Sequence, residues 1–107
     1  MMNDNVRQWM NEQFEGDSET IALVWGEYLN ETAVKLDAVR TALAASDFPE
    51  LDRLAHTLKG NALMVGDTAL VQASISLRDA AKASDAEASG RALARLAELD
   101  LENRREA

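Results

Sequence analysis

The sequence predicts an all-α fold, and three observations support this prediction. Alanine, leucine and glutamate are abundant, whereas proline occurs once and glycine five times among the 107 residues. No run of β-branched residues alternates with polar residues as a strand would require. Apolar residues instead recur at three- and four-residue steps, which is the spacing of a helix with one buried face. We therefore expect a single domain spanning residues 1–107, an antiparallel up-down four-helix bundle with a short N-terminal lid helix.

Two helices are predicted before the only proline. The first covers Val6 to Phe14 and ends before Gly16, because a residue without a Cβ atom suits a helix C-cap. Asp17 or Ser18 caps the second and longest helix. The residues expected on its buried stripe are Ile21, Val24, Trp25, Tyr28, Leu29, Thr32, Leu36, Val39 and Leu43. The aromatic residues expected to pack in the core or under the lid are Trp9, Phe14, Trp25 and Tyr28.

The third helix begins in the segment SDFPE at residues 46–50. Ser46 or Asp47 can cap it, and Pro49 is tolerated in its first turn, where the missing N–H removes no hydrogen bond. The helix is predicted from about Pro49 to Val65. Gly66 can then end it in a left-handed conformation.

Two more helices follow this glycine. Asp67 or Thr68 can cap the fourth helix, and a further cap near Ser84 and Asp85 begins the fifth. The residues expected to face the core are Leu70, Ala73, Leu77 and Ala81 on the fourth helix, with Leu93, Leu96 and Leu99 on the fifth. The chain then ends in LENRREA, which we expect to fray into solvent.

Composition argues against several classes of function. The net charge of −8 would repel nucleic acid and the anionic face of a membrane. No apolar run approaches the roughly 20 residues of a membrane-spanning helix, and the N-terminus lacks the plan of a signal peptide, so we expect a cytoplasmic protein. Because the chain has one histidine and no cysteine, disulfides and thiolate sites are absent and a zinc site is not expected.

The third helix combines a buried stripe with an unusual exposed patch. At about 100° per residue, one stripe contains Leu51, Leu54, Ala55, Leu58, Ala62 and Val65. His56, Lys59, Gly60 and Leu63 lie roughly 130° away from its centre. Glycine at position 60 destabilises the helix by about 0.5–1 kcal/mol relative to alanine, so its presence needs another reason. We interpret Gly60 as a notch that lets an acceptor approach His56. Leu63 is either an apolar docking contact or a partly buried packing residue.

These residue types suit phosphoryl transfer. The imidazole of histidine has an ordinary pKa of about 6.5, so its neutral, nucleophilic form is available at physiological pH. Such transfer asks the protein mainly for positioning and charge neutralisation, which Lys59 could supply one turn from His56. The phosphate-loop pattern GxxxxGK[ST] is absent, so we expect neither ATP binding nor autonomous kinase activity.

The segment LAHTLKGNALMVGDTAL closely resembles the signature of histidine-containing phosphotransfer (HPt) domains. The matching positions are His56, Leu58, Lys59, Gly60 and Gly66. The resemblance implies a four-helix bundle, His56 as the phosphoacceptor, Lys59 near the phosphoryl oxygens and Gly60 as the access notch. It also implies response-regulator receiver domains and hybrid sensor kinases as partners, with Mg²⁺ bound by the partner and no cofactor on this chain.

One position departs from that family's pattern. Many members place an acid or glutamine after a leucine on the next helix, where it orients the histidine ring, but here Leu77 is followed by Arg78. Arginine cannot accept the ring N–H, so either another group orients His56 or the ring is freer than usual. Arg78 is instead a candidate contact for the phosphoryl group or for an acid on the partner. Arg53 and Lys82 are further candidates for the docking surface.

Three hypotheses remain open from the sequence. The first is a phosphorelay intermediate that accepts a phosphoryl group on His56 from one receiver aspartate and passes it to another. The second is a docking module that binds a receiver or kinase without transferring phosphate. The third is a plain helical adaptor. We expect a monomer, since nothing in the sequence demands a homodimer.

Overall fold

The computed structural model describes residues 2–105, and this part of the chain forms five α-helices with no β-strand. They are α1 (Asp4–Gln13), α2 (Ser18–Ala44), α3 (Phe48–Leu63), α4 (Thr68–Lys82) and α5 (Ala86–Arg104). The predicted all-α class is therefore confirmed. The predicted helix α1 started too late, because Asn3 caps it by accepting the Val6 N–H at 2.9 Å. The predicted α3 ended too late, because residues 64–66 form its closing turn.

Each connection between helices uses the same two-residue device. A residue with positive φ ends one helix, and the aspartate after it caps the next by accepting a backbone N–H from the first turn. The pairs are Gly16–Asp17, Ser46–Asp47, Gly66–Asp67 and Ser84–Asp85. Aspartate is therefore the cap wherever the sequence left two candidates. Ser46 takes the left-handed position, at φ 53°, and does not cap α3.

Helices α2 to α5 enclose one apolar core. In this packing α3 lies against α2 and α4, while α5 lies against α4 and α2. The six residues predicted for the buried stripe of α3 are all at most 3% exposed. Trp25 and Tyr28 pack in this core with ring centroids 5.3 Å apart, as their sequence positions predicted.

Helix α1 covers one end of this core. Val6 and Met10 are fully buried, and Trp9 lies over Gly66 at the end of α3. A Cβ atom at Gly66 would stand 2.6 Å from both Cβ and Cγ of Trp9. Gly66 also has φ 73°, so the left-handed turn and the close approach of α1 both require glycine here.

A buried carboxylate fixes the turn between α3 and α4. Asp67 is 1% exposed, and its Oδ2 accepts hydrogen bonds from the Tyr28 hydroxyl at 2.7 Å and from Asn103 Nδ2 at 3.0 Å. Its Oδ1 accepts the Leu70 N–H at 3.3 Å. Burial, together with the negative charge of Asp67, raises the pKa of Tyr28 well above its ordinary value. The carboxylate thereby joins α2, α4 and α5.

The predicted fraying of the C-terminal segment is wrong for most of its length. Helix α5 continues to Arg104, and Asn103 is 6% exposed because its amide bonds Asp67. Arg104 pairs with Asp100 at 3.0 Å and donates a hydrogen bond to the carbonyl of Leu29. Residues 106–107 lie outside the described part. No helix within residues 2–105 is long and apolar enough to cross a membrane.

Candidate functional site

His56 lies on the outer face of α3, where its imidazole is exposed. The helix is held in this rotation because Leu54, Ala55 and Leu58 on either side of the histidine are buried to at least 99%. Within residues 2–105 the ring nitrogens have no hydrogen-bond or ion-pair partner. Of the two arrangements that the sequence left open, the structure therefore has the freer ring.

The neighbours of His56 on this face match the predicted patch. Lys59 is half-buried one turn along the helix and Gly60 is exposed. A Cβ atom at Gly60 would meet no atom within 4 Å, so the packing of this chain does not require glycine at that position. Leu63 is 53% exposed, which places it on the surface and not in the core.

Sequence reasoning missed Met64, the most exposed large apolar residue of the described part at 71%. It stands one turn after Gly60, about 80° around the helix from His56, so the same angular count could have found it. We call the surface formed by His56, Lys59, Gly60, Leu63 and Met64 the His56 face. Its apolar area is larger than the sequence predicted.

Two shallow grooves border the His56 face. One lies between α1 and the α3–α4 turn, and its lining includes Trp9, Leu63, Gly66 and Val71. The other lies between α2 and the end of α3 and is mostly apolar, with Val24, Tyr28, Met64 and Val65 in its wall and Glu27 and Glu31 also lining it. The His56 face is therefore continuous with concave surfaces on both sides.

The predicted basic residues are placed differently from one another. Arg53 is mostly exposed and pairs with Glu50 on its own helix, which lowers the pKa of Glu50 and raises that of Arg53. Arg78 on α4 pairs with Asp52 on α3, its Nε 3.0 Å from Oδ1. Lys82 is exposed one turn further along α4 and has no ion-pair partner in the described residues. Arg53 and Lys59 thus lie within one turn of His56 on α3, and Arg78 reaches α3 at Asp52, one turn before His56, whereas Lys82 lies further along α4.

Asp52 is the second residue that the sequence did not indicate. It lies one turn before His56 on α3 and was one of many exposed acids in the printed chain. Its significance comes from Arg78, which is 26 residues away in sequence and reaches it only in the folded protein.

This arrangement suits a group transfer that a partner completes. The imidazole is an accessible nucleophile, Lys59 supplies positive charge one turn away, and Gly60 leaves the approach open. No group of three histidine, aspartate or glutamate side chains within residues 2–105 could hold a metal ion.

Comparison with known families supports the sequence resemblance. The family model described as Hpt domain matches residues 23–107, which include all of α3, α4 and α5 and most of α2. Helix α1 lies outside the matched segment. Comparisons with curated proteins and with solved structures gave no match. With the matched segment covering most of its length, the chain belongs to the Hpt domain family.

Proposed function

We propose that this protein is a phosphorelay intermediate that accepts a phosphoryl group on His56 from a receiver-domain aspartate and passes it to a response-regulator aspartate. Membership of the Hpt family implies phosphotransfer in a two-component phosphorelay, and Hpt domains are intermediates of such relays and not kinases. The single observation that supports the assignment to His56 is that the only histidine stands exposed beside an open glycine.

The proposed transfer exchanges one bond to phosphorus for another. A ring nitrogen of His56 forms a bond to phosphorus while the bond from phosphorus to the aspartate oxygen breaks, and the partner's carboxylate is released. The other ring nitrogen then loses its proton to solvent. Onward transfer reverses these changes on a second receiver. Lys59 stabilises the phosphoryl charge, and Mg²⁺ bound by the receiver stabilises the oxygens on its side.

The proposal includes an architecture that the packing of the helices supports. Helices α2 to α5 form the four-helix bundle of a single domain, residues 1–107, and α1 acts as its lid. The receiver docks on the His56 face, with Gly60 as the notch, Leu63 as an apolar contact and Arg53, Arg78 and Lys82 around it. The protein acts as a monomer toward a response regulator or a hybrid sensor kinase.

The test is transfer from a phosphorylated receiver domain in the presence of Mg²⁺. The wild type should acquire label that is lost in acid and kept in base, as a phosphohistidine requires, and His56→Gln should acquire none. Asn30→His in the His56→Gln background is the matched control, because it restores an exposed imidazole on α2 but not at the site. Label on this double variant would contradict a role for the surroundings of His56.

A docking module without transfer is the second candidate. The observation that favours it is that the His56 ring has no orienting partner, while Arg78 is held by Asp52. Under this hypothesis several receivers would bind the protein and none would label it. Binding should then survive His56→Gln and weaken on Leu63→Ala or Met64→Ala. Label on the wild type would eliminate this candidate.

A further inference from the structure

The pair between Asp52 and Arg78 differs from the ion pairs found elsewhere within residues 2–104. Five other pairs within residues 2–104 join side chains three or four residues apart on one helix. The Asp52–Arg78 pair joins α3 to α4, and both side chains are only about one-third exposed, at 34% and 32%. Partial burial weakens solvent screening, so this pair holds its geometry better than a fully exposed one.

The pair lies about one helical turn from His56. Asp52 and Arg78 stand at equal sequence distances from Val65, in the turn between the two helices. Asp52 is one turn before His56 on the same helix, and side chains one turn apart are neighbours on the surface of a helix. Asp52 therefore holds the Arg78 guanidinium on the side of α3 that carries His56.

Most of the hydrogen-bonding capacity of Arg78 is unused. Its Nε donates to Asp52 Oδ1 at 3.0 Å, and it has no other partner within residues 2–105. A guanidinium has five N–H donors, so four on the two Nη atoms remain. Arg53, the other arginine near His56, is more exposed and is engaged with Glu50.

We infer that Arg78, anchored through Nε by Asp52, is a second phosphoryl-binding group of the His56 site and binds the phosphoryl oxygens through its Nη atoms. This inference rests on the proposed function of His56. A phosphoryl group adds about −1.5 to −2 charges to a chain that already carries −8. A guanidinium fixed beside the phosphoryl group therefore lowers the free energy needed to add this negative charge. Asp52 is the positioning residue, because its carboxylate keeps the guanidinium at this level of α3.

The groups that face a phosphoryl group on His56 come from two helices. Asp52, Arg53 and Lys59 lie within about one turn on α3, and Arg78 lies opposite on α4. Lys59 and Arg78 would then flank the phosphoryl group from the two sides of the ring. The effect of Arg78 on the phosphorylated histidine should therefore be measurable in a variant that keeps Lys59.

The experiment labels the full chain with phosphoramidate, a small-molecule donor, so that no receiver is needed. The P–N bond of the donor breaks as a ring nitrogen of His56 bonds phosphorus, and the leaving nitrogen departs as ammonia after taking a proton. Titration of the phosphorus signal by ³¹P NMR then reports the pKa of the phosphohistidine. A nearby cation disfavours its protonated form, so Arg78→Gln should raise this pKa by about half a unit.

Two further variants sharpen the result. Arg78→Lys keeps the charge but lacks the planar fork that separates the Asp52 bond at Nε from the phosphoryl bonds at Nη, so the phosphohistidine pKa of this variant should lie between those of wild type and Arg78→Gln. Arg91→Gln is the control, because it removes one exposed arginine from α5, and its pKa should equal that of wild type. A labelled wild type with the same pKa as Arg78→Gln would overturn the inference and leave the proposed function standing. Absence of label from wild-type His56 would overturn both.

Discussion

The hydroxyl of Tyr28 donates a hydrogen bond to Oδ2 of Asp67 at 2.7 Å, which ties the middle of α2 to the cap of α4. Both residues are almost fully buried, and the same oxygen accepts a second bond from Asn103 on α5. Asp67 follows Gly66, at the end of the helix that holds His56. The geometry of the candidate site therefore depends on a polar contact in the interior of the protein.

Tyr28→Phe should lower the free energy of unfolding by about 1.5–3 kcal/mol, the range for a hydrogen bond to a charged group. Asp67→Asn is the matched variant, because asparagine caps a helix as well as aspartate does and removes only the charge. Urea denaturation of wild type, both single variants and the double variant would give the coupling energy of the pair. Additive effects would mean that the charge of Asp67 adds nothing to the strength of the bond.

The same tyrosine predicts a loss of stability at alkaline pH. Its pKa is about 10 in the unfolded chain and is raised in the folded protein by burial and by Asp67. Its contribution is therefore complete below about pH 10 and is lost as the pH rises further, with a slope of up to about 1.4 kcal/mol per pH unit. Wild type should lose more stability than Tyr28→Phe between pH 8 and pH 11. Parallel curves for the two proteins would contradict this account.

Gly66→Ala should destabilise the protein more than Gly16→Ala. Both glycines have φ near +74°, but an added Cβ meets Trp9 at Gly66 and open space at Gly16. Gly16→Ala should cost about 1–2 kcal/mol for the left-handed conformation alone, and Gly66→Ala about 1–3 kcal/mol more for the clash. Thermal denaturation of both variants measures this difference. Equal losses would show that α1 moves aside freely.

Gly60→Ala should separate stability from transfer. Nothing stands within 4 Å of the added Cβ, so the helix should gain about 0.5–1 kcal/mol. If the notch admits the receiver, the rate of transfer to His56 should nevertheless fall about tenfold or more, because small displacements of reacting groups are costly. Gly90→Ala on α5 also enters open space and is the control, with the same gain and an unchanged rate. An unchanged rate in Gly60→Ala would remove the notch from the mechanism.

The periodicity of apolar residues predicted the five helices and most of the core, but not every helix end. The stripe on α3 was predicted without error because Leu51, Leu54 and Leu58 repeat at the helical period, and the exposure of His56 follows from the same count. The left-handed serines were missed because glycine is the usual residue there, and Ser46 looks like a cap when it precedes a helix.

The contacts that sequence reasoning missed are those between residues far apart in the chain. Asn103 was assigned to a frayed end because its neighbours are polar, yet its partner Asp67 is 36 residues away. The pairing of Arg78 with Asp52, 26 residues away, was missed for the same reason. A pattern read along one helix describes which way a residue faces, and it contains no information on which polar group of another helix it meets.

The turn at Gly66 and Asp67 also has a consequence for the order of folding. It is contacted by Trp9 from one end of the chain and by Asn103 from the other, whereas α3 and α4 are neighbours in sequence and pack closely. Contacts between distant residues close large loops, so we expect the α3–α4 hairpin to form in the transition state and the turn to be secured afterwards. Trp9→Ala and Asn103→Ala should then accelerate unfolding and leave the folding rate nearly unchanged in stopped-flow experiments. The turn at Gly66 and Asp67, which follows the helix that carries His56, would be the last part of the protein to become rigid and the first to loosen.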